Sequence, residues 1–160
     1  MSCIKKTKLG QHFLTDSTVI EKELFIADLS KDDVVLEIGP GKGILTQKLA
    51  DRTRQVIAIE LDKTLYHFLN QTLPGNVLLI HKDVMDLCWD DIPSFTKVVA
   101  NLPYQISSPV TFKLFEVNFE KAVLIYQKEF AERMIARAGS KDYSRLSVGI
   151  AYKSKCKIHM

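Results

Sequence analysis

The sequence predicts an α/β protein in which helices cover a mostly parallel sheet. From about Asp33 onward, short apolar runs alternate with longer stretches of helical periodicity, which is typical of strand–helix–strand units. The apolar runs are continuous, as expected of strands that are buried on both faces. With 160 residues and 46% hydrophobic content, the chain is expected to form one domain over residues 1–160.

Five strands and six helices follow from this pattern. The strands are expected at the apolar runs 34–38, 56–59, 77–80, 97–100 and 122–125. The helices are expected where apolar residues recur at helical spacing, over 17–29, 44–50, 63–73, 109–117, 129–138 and 145–152. Asp16 or Ser17 is the expected N-cap of the first helix. The helix over 63–73 is expected to carry Leu65, Phe68, Leu69 and Thr72 on one face.

Residues 155–160 resemble the beginning of another strand, with no partner or stop signal after it. This favours the interpretation that the chain is truncated or is a fragment of a longer protein.

The composition argues against several classes of protein. No run approaches the roughly 18 uncharged apolar residues that span a bilayer, and the first residues lack the apolar core of a secretory signal. An intracellular, soluble protein is therefore expected. Cys3, Cys88 and Cys156 form no C-x-x-C pair, so they are interpreted as reduced thiols, and no metal site is expected.

The formal charge of +3 is too small to identify a polyanionic partner by itself. Basic residues are nevertheless concentrated at the start of the chain and in its last third. They are Lys5, Lys6, Lys8, Lys128, Arg133, Arg137, Lys141, Arg145, Lys153, Lys155 and Lys157. They could line a phosphate-facing surface or serve only as solubilising charge.

A glycine-rich segment, residues 37–43, follows the first strand. Glycine permits a sharp turn and a close approach to a ligand, and the free N–H groups of the next helix favour an anion. Gly39, Gly41 and Gly43 have the spacing G-x-G-x-G, whereas a dinucleotide site expects G-x-G-x-x-G. The spacing favours S-adenosylmethionine, although such a turn can also be purely structural.

Acidic residues end or follow the next two strands. Glu60 could accept hydrogen bonds from both hydroxyls of an adenosine ribose, and Asp83 could accept one from the adenine amino group, beside the Val84 N–H as a donor. Taken singly, Glu60 could be a solvated surface residue and Asp83 a turn cap. Because the carboxyl ends of parallel strands meet at one sheet edge, features after three successive strands favour a shared nucleoside site.

The segment Asn101-Leu102-Pro103-Tyr104 follows the fourth strand. An exocyclic adenine nitrogen is a poor nucleophile because its lone pair is delocalised into the ring. The Asn101 side-chain oxygen and the Leu102 carbonyl could draw that lone pair out of conjugation, Pro103 could fix the turn, and Tyr104 could stack on a flipped-out base. The segment therefore predicts methyl transfer to adenine N6, with a turn around a core tyrosine as the alternative.

At these residues the sequence resembles the KsgA-type family of ribosomal small-subunit RNA adenine N6,N6-dimethyltransferases, especially its archaeal and eukaryotic members. The resemblance covers nearly the whole chain and is carried by residues 9–14, 37–43, 101–109, 126–133 and 143–148. It implies a Rossmann-like class I S-adenosylmethionine-dependent methyltransferase fold. It also implies that family members continue with a further strand segment and a small helical C-terminal domain, which are expected to lie beyond the 160 residues of this sequence.

The resemblance further implies the roles of individual residues. The catalytic residues would be Asn101, Leu102, Pro103 and Tyr104. The residues that contact S-adenosylmethionine would be Gln11, His12, Leu14, Glu37, Gly39, Gly41, Glu60, Asp83, Val84 and Asn101. Many relatives carry asparagine at the position of His12, so the contact made by His12 stays open.

The expected function is dimethylation of adenosine N6 in small-subunit ribosomal RNA during ribosome biogenesis. The expected protein is a monomer without membrane contact, cytoplasmic or, in a eukaryote, nucleolar, whose partner is the pre-small ribosomal subunit. Residues 127–133 and 143–148 favour the small subunit over a large-subunit rRNA methyltransferase or a DNA adenine methyltransferase. Two further hypotheses stay open: a ribosome-assembly factor that acts mainly by binding, and a nicotinamide oxidoreductase.

Overall fold

The computed structural model describes residues 16–159, and a parallel sheet runs through its centre. The strands are β1 (Val34–Ile38), β2 (Gln55–Glu60), β3 (Val77–His81), β4 (Lys97–Asn101) and β5 (Lys121–Ile125). They pair in the spatial order β3-β2-β1-β4-β5, and every pairing is parallel. The predicted parallel α/β sheet is confirmed. The strand order reverses direction at β1, which places a topological switch point between β1 and β4.

Within residues 16–159, six α-helices precede, connect or follow the strands. They are α1 (Ser17–Ala27), α2 (Ile44–Ala50), α3 (Lys63–Thr72), α4 (Ser107–Leu114), α5 (Lys128–Met134) and α6 (Arg145–Lys153). Three short 3-10 helices, Val84–Asp86, Trp89–Asp91 and Tyr104–Ile106, were not predicted. Asp16 is the N-cap of α1, since its carboxylate accepts a hydrogen bond from the Thr18 N–H at 2.9 Å.

Both faces of the sheet are covered, as expected of a parallel sheet. On one face, Leu36, Ile57 and Val98 pack with α4 residues such as Val110. On the other face, Val35, Val56 and Val99 pack with α1 and α2 through residues that include Ile20 and Leu49. These side chains are almost completely buried, so the middle of the sheet is the hydrophobic core.

Several predicted boundaries and faces need correction. Helix α4 begins at Ser107 because Pro109 fits within the first turn of a helix. Helix α5 ends at its buried residue Met134, after which the chain is largely exposed. On α3, Leu69 is buried whereas Phe68 is 50% exposed, because α3 packs near the open edge of the sheet at β3.

The strand expected over 155–160 is wrong for the part of it that the structure describes. Residues 154–159 form neither a helix nor a strand, and they pair with no described strand. Their side chains are exposed except that of Ile158, which is half-buried, so the apolar–polar alternation there has no sheet to pair with.

A buried ion pair joins three elements at the amino ends of the strands. Lys97 Nζ donates to Asp33 Oδ2 at 2.9 Å and to the Asp28 carbonyl at the end of α1. Burial alone would raise the pKa of Asp33, but hydrogen bonds from Lys97, Ser30 and Thr96 outweigh it and lower the pKa to about 2. Asp33 therefore links α1, β1 and β4.

Asp33→Asn is expected to lower the free energy of unfolding by about 3 kcal/mol near neutral pH, because Lys97 keeps its buried charge without a counter-ion. Urea unfolding measures the loss, and Asp32→Asn, at an exposed neighbour, is the matched control. The pKa of Asp33 is lower in the folded protein than in the unfolded chain. The difference in the free energy of unfolding between parent and variant is therefore largest above about pH 5, and it declines as the pH falls towards about 2. An unchanged difference at pH 2 would contradict this account.

Candidate active site

A cleft of about 610 Å³, including its open mouth, lies at the carboxyl ends of the strands. Its walls are formed by Ile38, Gly39, Ile59, Glu60, Leu61, Lys82, Asp83, Val84, Pro103, Gln105 and Ile106. Gly39, Glu60, Asp83, Val84 and Pro103 were singled out from the sequence, and the cleft brings them together. The apolar walls were not predicted, because Ile38 and Ile59 look like ordinary core residues in a sequence. The mixed apolar and polar lining fits a nucleoside ligand.

The glycine turn after β1 forms one side of the cleft. Gly39 has φ +73° and Gly41 has φ +60°, a left-handed conformation that favours glycine. The Gly41 N–H donates to Glu60 Oε2 at 3.3 Å, which ties the turn to the end of β2. Gly43 shares this conformation, with φ +80°, and also has a packing role, because a Cβ there would lie 2.7 Å from Leu69 Cδ2.

Glu60 is buried at the end of β2, so its interpretation as a solvated surface residue is wrong. Its Oε1 accepts a hydrogen bond from the Asp62 N–H at 2.7 Å, and Oε2 accepts the one from Gly41. Burial raises the pKa of Glu60, and these two hydrogen bonds oppose the shift. Each carboxylate oxygen has a second lone pair, so Glu60 can still accept hydrogen bonds from ribose hydroxyls.

Asp83 is a turn cap, as one interpretation of its sequence position expected, and it also lines the cleft. Its Oδ1 accepts a hydrogen bond from the Met85 N–H at 2.8 Å and caps the 3-10 helix Val84–Asp86. The same residue lines the cleft, beside the buried side chain of Val84. The cap fixes the carboxylate at the wall of the cleft, where it can accept a hydrogen bond from an amino group.

The segment Asn101–Tyr104, here called the asparagine loop, begins at the last residue of β4. The Leu102 side chain is buried in the core, and the Pro103 carbonyl accepts a hydrogen bond from the Ile106 N–H at 3.1 Å, which fixes the turn. Tyr104 is 46% exposed, so the interpretation as a core tyrosine is wrong. Pro103 contributes to the cleft wall, and the loop therefore borders the cleft directly.

Two buried acids lie behind the cleft. Glu37 in β1 is fully enclosed and does not line the cleft, and burial raises its pKa to about 8. Glu23 in α1 was not identified from the sequence, and burial raises its pKa to about 8 as well. The sequence could have identified Glu23, because its spacing places this acid among Ile20, Leu24 and Ala27 on the buried face of α1. Charged residues at such positions are rare unless they have a partner.

Gln11, His12 and Leu14 lie outside the described residues. Within residues 16–159, no group of three or more metal-ligating side chains was found, and no helix has the length and apolar character needed to cross a membrane.

The chain matches the family model described as ribosomal RNA adenine dimethylase over residues 3–158. It is 52% identical over 149 residues to the probable ribosomal RNA small subunit methyltransferase A of Methanococcus aeolicus, covering 92% of this chain and 55% of that protein. It is 51% identical over 142 residues to the protein of the same name from Pyrococcus abyssi, covering 88% of this chain and 52% of that protein. The chain thus spans about half the length of these curated relatives.

Solved structures show the same similarity. A dimethyladenosine transferase from Plasmodium falciparum matches with a TM-score of 0.77 and 37% identity, covering 88% of this chain and 52% of that one. The 23S rRNA methyltransferase ErmE matches with a TM-score of 0.65 and 32% identity, covering 86% of this chain and 56% of that one.

Asp83→Ala is expected to weaken binding of S-adenosylhomocysteine about tenfold, because it would remove the proposed hydrogen bond to the adenine amino group, and one such bond contributes roughly 1 to 1.5 kcal/mol. Isothermal titration calorimetry measures the effect. Asp86→Ala, at an exposed residue of the same 3-10 helix, is the control and should bind like the parent. Equal affinity for the Asp83 and Asp86 variants would remove Asp83 from the binding site.

Proposed function

Since this chain belongs to the ribosomal RNA adenine dimethylase family, we propose that it is the S-adenosylmethionine-binding part of an enzyme that dimethylates adenosine N6 in small-subunit ribosomal RNA. One observation carries the proposal: the asparagine loop borders the same cleft that Gly39, Glu60 and Asp83 line. A base at Asn101 and Tyr104 would therefore lie next to a nucleoside in the cleft.

The residues present fit the cofactor. Glu60 and Asp83 supply acceptors at two successive strand ends, and the apolar side chains of Ile38, Ile59 and Ile106 supply a surface for an adenine ring. When bound, S-adenosylmethionine would supply its sulfonium methyl group to N6 and leave as S-adenosylhomocysteine, and N6 would release one proton to solvent.

The asparagine loop prepares the accepting nitrogen. Asn101 Oδ1 and the Leu102 carbonyl would accept hydrogen bonds from N6 and localise its lone pair, and the exposed ring of Tyr104 would stack on the extruded base. No strong base is needed, because the proton leaves after the methyl group has been transferred.

Exposed cations support an RNA substrate. Eight exposed cations lie on α5, α6 or the adjoining segments: Lys128, Arg133, Arg137, Lys141, Arg145, Lys153, Lys155 and Lys157. Helices α5 and α6 are joined by a 2.7 Å hydrogen bond from Ser147 Oγ to the Arg133 carbonyl. Fixed cations of this kind neutralise phosphates.

A large-subunit substrate is the second candidate, because ErmE, a 23S rRNA methyltransferase, is 32% identical. Mapping the modified nucleotide separates the two. The small-subunit proposal includes a monomeric protein whose partner is the pre-small ribosomal subunit, in the cytoplasm or, in a eukaryote, the nucleolus.

Asn101→Ala in the full-length protein is expected to lower the rate of methyl transfer to immature small subunits about 100-fold or more, because a hydrogen bond to the reacting group is lost. The measurement is incorporation of labelled methyl groups and detection of N6,N6-dimethyladenosine. Asn118→Ala, at an exposed asparagine between α4 and β5, is the control. If the product is absent from the parent reaction, or if Asn101→Ala matches the parent, the proposal is rejected.

A further inference from the structure

We infer that Glu23 is a positioning residue for Asn101, and that its carboxyl group decides which end of the Asn101 amide is available to the target base. The inference rests on the proposed function, in which Asn101 Oδ1 must accept a hydrogen bond from adenine N6. Neither Glu23 nor Asn101 is among the residues of the cleft wall, which the asparagine loop reaches through Pro103.

The inference starts from two neighbouring groups with incomplete hydrogen bonding. Glu23 is 0% exposed, and among the described residues neither of its oxygens has a hydrogen bond of regular geometry. Its polar neighbour is the Asn101 amide. Asn101 Oδ1 is also buried without a regular hydrogen bond to a described residue. Buried polar groups are rarely left in this state, because each carries a desolvation cost of roughly 1 to 3 kcal/mol.

Two arrangements of this pair satisfy both groups. A neutral Glu23 can donate its O–H to Asn101 Oδ1. Alternatively, the amide can turn over, so that Nδ2 donates to an ionised Glu23. The two ends of a side-chain amide are nearly identical in shape, so the hydrogen-bond partners decide between them.

The two arrangements differ in what they present to the adenine. With neutral Glu23, Oδ1 is occupied and the N–H end of the amide is turned away from Glu23. With ionised Glu23, Nδ2 is occupied and Oδ1 is free to accept a hydrogen bond from N6. Only the second arrangement supports methyl transfer, so the rate should depend on the ionisation of Glu23.

The surroundings of Glu23 place its pKa in a pH range that can be titrated while the protein is folded. Burial raises the pKa of Glu23 to about 8, and the Asn101 amide opposes the shift. Two other acids, Glu37 and Glu60, face the same region. Glu37 in β1 interacts electrostatically with both Glu23 and Glu60. On the other strands that contact α1, Lys97 and Lys121 donate to carbonyls at the far end of the helix, at Asp28 and Ile26.

Packing alone does not require an acid at this position. The buried face of α1 is otherwise apolar, and Phe25, two residues further on, is 85% exposed. An apolar side chain at position 23 would cost less to bury than a carboxyl group. The acid is thus kept at a cost in stability, which fits a role in the site.

The test is the pH dependence of kcat for the full-length protein on immature small subunits. For the parent, kcat should rise with pH through the pKa of Glu23. Glu23→Gln cannot ionise and offers Asn101 both a donor and an acceptor, so this rise should disappear. At pH 8.5 its kcat should fall about tenfold with little change in the KM for S-adenosylmethionine. Glu21→Gln removes an exposed acid from the same helix and should keep the parent profile.

The outcomes separate the inference from the proposed function. If the parent is active and Glu23→Gln has the same kcat and pH profile, the inference is overturned and the proposed function stands. If the parent binds S-adenosylhomocysteine without methylating ribosomal RNA, the proposed function fails. In that case, or if Glu23→Gln does not fold, the inference is tested by the NMR resonances of the Asn101 side-chain amide in the parent. They should shift on titration around pH 8, and constant resonances from pH 6 to 9.5 would overturn the inference.

Discussion

The parallel pairing of β1 with both β2 and β4 is the constraint on which the rest of this structure depends. Because all five strands point the same way, the loops that follow them emerge at one edge of the sheet. The chain moves from β1 outward to β3 and then crosses to β4, so the loops after β1 and β4 lie on either side of the switch point. Residues that are about 60 positions apart in sequence, Gly39 and Pro103, thereby approach each other across one cleft.

The position of this cleft follows from the sequence because strands and glycines leave strong local signals. Continuous apolar runs identified all five strands, and the polar residue at or after the carboxyl end of a strand was then a candidate by position alone. Glu60 and Asp83 were identified in this way, and the structure places both in the cleft wall. Local reasoning was sufficient here because the side-chain position depends on where a strand ends.

Features that depend on tertiary packing could not be read in the same way. Glu23 lies next to Asn101 only after α1 has packed on β4, and no spacing rule connects positions 78 residues apart. The exposure of Phe68 depends on how far α3 extends over the edge of the sheet. The apolar residues near the end of the chain suggested a strand, but a strand forms only where a neighbour offers its N–H and C=O groups.

Glu23, Glu37 and Glu60 place three carboxyl groups, each with a raised pKa, at the edge of the sheet that also forms the cleft. A positively charged ligand in the cleft would favour the ionised forms of Glu23 and Glu37, whose pKa burial raises to about 8, so its arrival would be coupled to proton release. The heat that accompanies binding then contains a contribution from the buffer that takes up those protons. Titrations in two buffers of different ionisation enthalpy would therefore give different apparent heats for the same complex.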